Sequence, residues 1–278
     1  MSTTWSLPLL TLLALTLVKS ELQKRHTCTD LGELHSYLGL QITRDRARCT
    51  ITLTQSHMVQ QVLQRLGFTW SSAQATPLAT GHSLSAPPSD ESVEPSGPYP
   101  ELVGCLMYLM TCTRPDLAYL LGLLARYVAP GWHRKATQRS SQGYTFSLGS
   151  GSVSWRSTRS SSVLGSSCEA EIYATAMAAQ ELRGLTYLLT DLGEQPRSPL
   201  VLYVDNKAAI ALCQEHRTKH IALRYFLARE LQQRGQLRLA HVATRANIVD
   251  IFTKALPPCD HQRVCTLLGL VPTLPHLL

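Results

Sequence analysis

The stretch that decides the fold is Leu200–Ile210, which reads LVLYVDNKAAI. Five apolar residues run directly into Asp205 and Asn206, and a helical pattern follows them. A short, continuous apolar run of this kind is typical of a strand that is covered on both faces. Asp205 then lies at the carboxyl end of a buried strand, where ligands gather in open α/β sheets. The competing interpretation, which this stretch alone favours, is that Asp205 caps the following helix.

The sequence around this strand predicts a mixed α/β domain. Residues Gly143–Trp155 alternate as a hairpin, and its corner contains Gly149 and Gly151, both expected at positive φ. A long helix is predicted from about Ser167 to Leu192, and Gly193 ends it. Beyond the quoted strand, the pattern predicts helices over 206–212 and 218–233, a strand over 237–242 and a helical region from 246 past 254.

The first half of the chain predicts a small α+β region, a linker and two helices. Residues 76–100 are rich in Pro, Ser and Gly and have almost no aliphatic side chains, which is typical of a linker. The elements predicted around it are a helix that ends near Arg25, strands over 34–42 and 49–54, and helices over 55–66, 101–110 and 115–128.

The charge balance suits a polyanionic partner without proving one. The chain has 26 Lys and Arg against 19 Asp and Glu, a net charge of +7. No Asp or Glu occurs between Leu117 and Cys168, whereas basic residues do: Arg126, Arg134, Lys135, Arg139, Arg156 and Arg159. This segment is interpreted either as a solvated basic face or as a surface that contacts a phosphate backbone.

The eight cysteines contain no C-x-x-C pair and no Cys/His cluster with zinc-ligand spacing. We therefore expect buried thiols, a cytoplasmic or nuclear location and no membrane partner. Residues Ser6–Val18 are apolar and of signal-peptide length, but they have no basic n-region and no clear cleavage site. An internal apolar segment is the favoured interpretation, and secretion with residues 1–20 as a signal is the alternative.

Three carboxylates on separate elements form the candidate site. Glu169 and Glu171 lie near the N-terminus of the long helix, where the helix dipole favours acidic residues, and Glu169 is better placed as the cap. Asp250 lies among apolar neighbours in the first turn of the last predicted helix, where a carboxylate is costly unless it pairs or binds a cation. Together with Asp205, and with no matching Lys, Glu171 and Asp250 offer the hard oxygen ligands that two metal ions require for phosphodiester hydrolysis.

Eight motifs occur in a fixed order between about Val18 and Leu270. They are Asp30–Gly39, Leu102–Leu109, Thr113–Tyr119, Ser154–Ser157, Ser166–Tyr173, Tyr203–Ile210, Arg217–Ile221 and Asp250–Leu256. In this order they resemble the Pol polyprotein of copia-type retrotransposons, and although any one motif is weak, eight in family order are specific. The resemblance implies a C-terminal reverse transcriptase fragment over 1–75, a helical connection over 101–136 after the linker, and a ribonuclease H (RNase H) domain over 137–278.

The resemblance also implies an activity and its partners. The RNase H-like domain of this family cuts the RNA strand of RNA–DNA hybrids, and Glu171, Asp205 and Asp250 match its catalytic metal ligands for Mg²⁺ or Mn²⁺. Other Pol segments are further expected partners. The expected nucleic-acid contacts are basic side chains, namely Arg156, Arg159, Arg217, Lys219, His220 and Arg224.

Two departures from the family pattern change the expected activity. The Tyr-x-Asp-Asp metal motif of the family's polymerase does not occur, so no polymerase activity is expected from this chain alone. Between Trp132 and Tyr144, the strand that carries the family's first catalytic aspartate is absent. The two-metal site would lack one carboxylate, and the hairpin would pair elsewhere or leave an open sheet edge. We therefore expect an α/β fold with an RNase H-like mixed sheet that lacks its first, central strand.

Three functions are compatible with these observations. The leading hypothesis is a Pol-derived fragment that binds RNA–DNA hybrids and has weak or no catalysis. The second is an active ribonuclease H that recruits another carboxylate, such as Asp116 or Glu101. The third is a secreted or domesticated interaction protein.

Overall fold

A computed structural model describes residues 9–68, 74–81, 98–128, 140–160, 167–214 and 226–272 of the chain. The chain divides into two compact units, one formed by the residues before Trp70 and the other by Trp70–Thr273. Each unit is described by itself.

The first unit contains an antiparallel sheet of three short strands. The predicted strand over 34–42 is in fact two strands, because Leu38 (φ +48°) and Gly39 (φ +73°) form a tight turn within it. At the next turn, the Asp45 carboxylate accepts a hydrogen bond of 2.9 Å from the backbone N–H of Arg48. The elements in order are α1 (Leu9–Arg25), β1 (Ser36–Tyr37), β2 (Leu40–Asp45), β3 (Thr50–Thr54) and α2 (Ser56–Arg65).

The second unit begins with two helices separated at a proline. Helix α3 (Tyr99–Cys112) ends before Pro115, which lacks the N–H that would continue it. Pro115–Leu117 forms a 3₁₀ turn that leads into α4 (Ala118–Leu124), and a second 3₁₀ turn, Ala125–Tyr127, follows it. The predicted separation of two helices by Arg114-Pro115-Asp116 is confirmed.

A hairpin and a long helix come next, as the sequence predicts. Strand β4 (Ser141–Leu148) pairs antiparallel with β5 (Gly151–Arg159), and α5 (Ser167–Asp191) follows. Gly149 has φ +65° at the corner, whereas Gly151 begins β5 and does not have a positive φ, so that part of the prediction was wrong. One positive φ is enough because β5 begins directly after Ser150.

The quoted stretch forms strand β6 (Leu200–Val204), and it pairs in parallel with β7 (Leu237–His241). Between them lie α6 (Lys207–Gln214) and α7 (Phe226–Gln233), and the first residues of the predicted 218–233 helix fall outside the described part of the chain. The core of this region packs the two strands against α5, α6 and α7 through buried residues: Ile172, Ala179, Val204, Ala209, Cys213, Ala228, Leu231, Leu237 and Leu239.

The last part of the chain differs from the predicted helix past residue 254. It contains two 3₁₀ turns, Thr244–Ala246 and Ile248–Phe252, and then helix α8 (Pro258–Leu267), which the sequence reasoning missed. Pro257 precedes α8 as its N-cap, and Pro258 is well placed at the first position of a helix. A second core cluster joins α4, the Ile248–Phe252 turn and α8: Ala118, Ile251, Phe252, Leu256, Val264, Cys265 and Leu268.

The fold is therefore mixed α/β, as predicted. In the described part of the second unit, β4–β5 and β6–β7 are separate two-stranded sheets. The cysteines are all free, but only Cys213 and Cys265 are buried and Cys28, Cys49 and Cys259 are exposed, so the expectation of buried thiols was wrong for most of them. Within the described ranges, no helix combines the length and the apolar character needed to cross a membrane.

Candidate active site

Asp205 lies directly after β6, at the carboxyl end of the strand. It does not cap the next helix. That role belongs to Asn206, because the Asn206 side-chain oxygen accepts a hydrogen bond of 3.1 Å from the backbone N–H of Ala209 in α6. The interpretation that the quoted stretch alone favoured is therefore wrong, and the Asp205 carboxylate is available for another purpose.

Asn247 connects Asp205 to the turn that carries Asp250. Its side-chain nitrogen donates a hydrogen bond of 3.0 Å to Oδ2 of Asp205. Its side-chain oxygen accepts a hydrogen bond of 3.1 Å from the backbone N–H of Val249 and so caps the Ile248–Phe252 turn. One amide side chain thus holds the tip of β6 and the start of this turn together.

The hairpin fixes the other end of this turn. Phe252 is fully buried, and a Cβ atom at Gly143 of β4 would lie 2.6 Å from the Phe252 Cβ, so only glycine allows this approach. Ser157 of β5 donates a hydrogen bond of 2.6 Å from its Oγ to the Phe252 carbonyl. The position of Asp250, two residues earlier, therefore depends on the hairpin as well as on Asn247.

Glu171, near the start of α5, is electrostatically coupled to both aspartates. Its burial, followed by the negative charges of Asp205 and Asp250, raises the pKa of Glu171 to about 7. Glu171 and Asp205 line the same cleft, and Asn247 joins Asp205 to the turn that carries Asp250. The structure therefore places the three carboxylates near one another, from a helix start, a strand tip and a 3₁₀ turn.

The cluster of three carboxylates has a positively charged partner, which the sequence did not predict. Lys254 lies one turn beyond Asp250, and its Nζ is 2.7 Å from the Asp250 Oδ2, so the expectation of a cluster with no matching Lys was wrong. Among the residues described, only Asp116, His261 and Cys265 bring three potential ligand atoms within 4.8 Å of one another. The three site carboxylates are therefore neighbours without forming so compact a group.

The basic residues predicted to contact nucleic acid are only partly described. Arg156 is exposed on β5, opposite Tyr144 of β4, and Arg159 is half-buried at the end of the same strand. The other four predicted contacts lie outside the described residues: Arg217, Lys219, His220 and Arg224.

Two features of this region escaped the sequence reasoning. Asn247 has the residue type and position of a helix cap before Ile248, which is a signal that could have identified it. Asp116, considered as a recruited carboxylate, is instead bound by Arg114 through Nε–Oδ1 and Nη2–Oδ2 contacts of 2.8 and 2.7 Å. Glu101, the other residue considered, is exposed in the first turn of α3.

Comparisons with known proteins identify relatives of the chain. It is 30% identical to a retrovirus-related Pol polyprotein from transposon TNT 1-94 of Nicotiana tabacum, over 91% of this chain and 23% of that protein. It is 29% identical to the corresponding Pol polyproteins from transposons RE2 and RE1 of Arabidopsis thaliana, over 91% and 90% of this chain and 20% of each of those proteins. The chain thus spans between a fifth and a quarter of these relatives' length.

The alignment with the tobacco protein runs over 302 residues, which is more than the 278 residues of this chain. That relative therefore contains residues that have no counterpart here. No protein-family model matches the chain, and no solved structure matches it. The chain is homologous, over nine tenths of its length, to part of the Pol polyproteins of copia-type transposons.

Proposed function

We propose that this homologue of the copia-type Pol polyproteins is a Pol-derived fragment that binds RNA–DNA hybrids and cleaves them weakly or not at all. The observation that carries the proposal is the placement of Glu171 near Asp205 and Asp250: burial, followed by the charges of these two carboxylates, raises the pKa of Glu171 to about 7. The family resemblance implies the same three carboxylates as metal ligands. Their approach from three separate elements supports a shared role.

An RNase H-like domain over 137–278, short of one central strand, is part of the proposal. The separation of β4–β5 from β6–β7 in the described residues is what the loss of a strand between them would leave. The length of the tobacco alignment also supports a missing segment, although it does not locate that segment. Residues 1–75, 76–100 and 101–136 are proposed as a reverse transcriptase fragment, a linker and a helical connection.

The site residues fit a hard divalent cation in part. Three carboxylates are a suitable donor set for Mg²⁺ or Mn²⁺, and the pKa of Glu171 is raised by its burial and then by the charges of the other two. Glu171 and Asp205 would hold such an ion, while Asp250 is shared with Lys254. A bound metal ion would activate water and stabilise the leaving oxygen of a phosphodiester. With three carboxylates where the family uses four, we expect an incomplete two-metal site.

The binding half of the proposal rests on the basic residues. Exposed Arg156 and half-buried Arg159 lie on one strand of the hairpin, within the acid-free segment between Leu117 and Cys168. Their side chains point to opposite faces of the strand because the two positions are three residues apart. Each would contact the phosphate backbone of a hybrid without reading its sequence. Other Pol segments are plausible partners, and the location would be cytoplasmic or nuclear.

The test uses the full chain, a fluorescent RNA–DNA hybrid and Mg²⁺. We expect salt-sensitive binding, a tenfold or greater loss of affinity in the double variant Arg156→Gln/Arg159→Gln, and little cleavage. The exposed pair Arg234→Gln/Arg263→Gln is the matched control for charge. Binding that does not respond to salt or to Arg156 and Arg159 would refute the proposal. Rapid Mg²⁺-dependent cutting that disappears in Asp205→Asn would establish the active ribonuclease H instead.

A further inference from the structure

A cleft of about 850 Å³ lies over α5, between β4 and β6. Consecutive residues of both strands line it, 143–148 on one side and 200–205 on the other. On the face of a sheet only every second side chain would line a cleft, because successive residues point to opposite faces. The cleft therefore runs along the edges of the two strands.

The backbone of β6 presents hydrogen-bonding groups to this cleft. The Leu200 N–H donates to the Gln236 carbonyl at 2.9 Å, and the Val204 carbonyl accepts from the Val242 N–H at 3.0 Å, so these groups point towards β7. Backbone direction alternates along a strand. The N–H and C=O groups of Val201 and Tyr203 therefore point away from β7, towards the cleft.

Strand β4 does the same from the other side. The Ser160 N–H donates a hydrogen bond to the Ser140 carbonyl at 3.0 Å. This bond shows which residues of β4 direct their backbone groups towards β5, as far as the irregularity after Phe146. By this alternation the backbone groups of Gly143 and Thr145 point away from β5. In the described residues, β4 pairs only with β5 and β6 only with β7.

The floor of the cleft is mainly apolar, although Glu171, Thr175 and Thr186 of α5 also line it. Helix α5 contributes small and aliphatic side chains at helical spacing: Ala174, Ala178, Leu182, Leu185 and Leu189. Tyr203, beside them, is 63% exposed, and Val204 is the one buried residue of β6, so the expectation of a strand covered on both faces was wrong. A floor of this kind favours apolar side chains, while the two walls require backbone donors and acceptors. An extended peptide strand satisfies both requirements at once.

We propose that this cleft binds one extended strand from another polypeptide, about six residues and roughly 20 Å long, with apolar residues at alternate positions. The strand adds to β6 on one side and to β4 on the other through backbone hydrogen bonds. The tobacco relative has residues that this chain lacks, so a segment supplied in trans is consistent with the comparison. The proposal does not depend on nucleic-acid binding.

The test measures amide hydrogen exchange of the full chain with and without a capped peptide of alternating valine and threonine, flanked by lysines. We expect saturating peptide to slow exchange at least tenfold at Val201 and Tyr203. The amides of Leu200 and Leu202 already face β7 and should change little. The control peptide carries N-methyl groups on alternate residues, which removes the donors on one edge, and should bind at least tenfold more weakly.

A pair of chain variants separates backbone pairing from simple apolar contact. Tyr203→Pro removes a cleft-facing N–H without removing a hydrogen bond to β7, whereas Tyr203→Thr keeps that N–H and a strand-compatible side chain. We expect only the proline variant to lose about tenfold in peptide affinity. Unchanged exchange at Val201 and Tyr203, or equal binding of the N-methylated peptide, would overturn the proposal. Protection that rises with protein concentration in the absence of peptide would assign the cleft to a second copy and would also overturn it.

Discussion

Two acidic regions of the second unit differ in how the negative charge of a buried carboxylate is balanced. Asp116 has a side chain only 3% exposed and receives two hydrogen bonds from Arg114, which raises the pKa of Arg114 and keeps the pair ionic. Glu171 is also largely withdrawn from water, but its nearest charged influences are two further carboxylates. The first region is a closed ion pair, and the second has negative charge in excess.

The neighbours of Asp116 reinforce this difference. His261 and Cys265, one turn apart on α8, lie beside it, and burial lowers the pKa of His261 and raises the pKa of Cys265 to about 11. Both side chains are therefore neutral near pH 7, and Arg114 alone balances Asp116. Geometric closeness of potential ligands is thus weaker evidence for a cation site than uncompensated charge, and Glu171 rather than Asp116 marks the functional candidate.

The largest expected effect is on the closed pair. Asp116→Ala leaves the Arg114 guanidinium without its partner beside the α4–α8 core, so we expect the free energy of unfolding to fall by about 3 kcal/mol. This is the low end of the range for a broken buried pair, because the Arg114 side chain is 45% exposed and can reach water. Urea denaturation followed by circular dichroism measures the change.

The exposed pair on α8 is the matched control. Asp260 and Arg263 are 3.7 Å apart and both well exposed, so Asp260→Ala should cost less than about 1 kcal/mol. The double variant Arg114→Met/Asp116→Ala should recover part of the lost stability, since an apolar replacement leaves no unpaired charge. An Asp116→Ala protein as stable as the Asp260→Ala protein would contradict the description of the first region as a closed pair.

The next effect concerns the pH dependence that Glu171 contributes. Its pKa is about 7 in the folded state, whereas an unperturbed glutamate has a pKa of 4.5. Between these values the folded chain holds a proton that the unfolded chain has lost, so stability falls as the pH rises from 4.5 to 7. We expect Glu171→Gln to remove this decline and to stabilise the fold at pH 8 by about 2 kcal/mol, allowing for partial access of water.

Glu169→Gln provides the comparison for this measurement. Glu169 lies in the same helical turn but is exposed, so the substitution removes the same charge from the helix start without removing it from a buried cluster. Thermal unfolding at a series of pH values distinguishes the two variants. If Glu171→Gln follows the wild-type curve throughout, the excess of negative charge at the second region does not exist.

The sequence predicted the acidic residues of this site better than the neighbouring side chains that contact them. An apolar run before Asp205 and an acidic helix start at Glu171 are local patterns, and each indicates its own element. Whether Asp205 caps a helix depends on Asn206, its competitor for that role, and only the structure decided between them. Lys254 and Asp250 form an ion pair between their side chains, and the hydrophobic periodicity of the sequence does not predict such a pair.

The parts of the fold that the sequence missed depend on contacts between distant segments. Helix α8 has no strongly amphipathic pattern, but Val264 and Leu268 are buried against residues of α4 and of the Ile248–Phe252 turn. The approach of Gly143 to Phe252 joins residues more than a hundred positions apart. Such tertiary contacts override local preference, which is why a predicted helix became two 3₁₀ turns.

The smallest expected effect tests whether Lys254 already occupies part of a cation site. In Lys254→Gln the Asp250 carboxylate loses a cation 2.7 Å away, and the second region gains negative charge. Because the Lys254 side chain is 52% exposed, the pair is worth no more than about 1 kcal/mol, so we expect Mg²⁺ or Mn²⁺ affinity to rise by about two- to fivefold. Titration calorimetry at pH 8 measures this, with Arg263→Gln as the control for loss of one exposed positive charge.

Tighter binding only in Lys254→Gln would show that the lysine and the metal ion compete for one carboxylate. Equal affinities in both variants and the wild type would mean that Asp250 is not a ligand, and the second region would then contain two usable carboxylates instead of three.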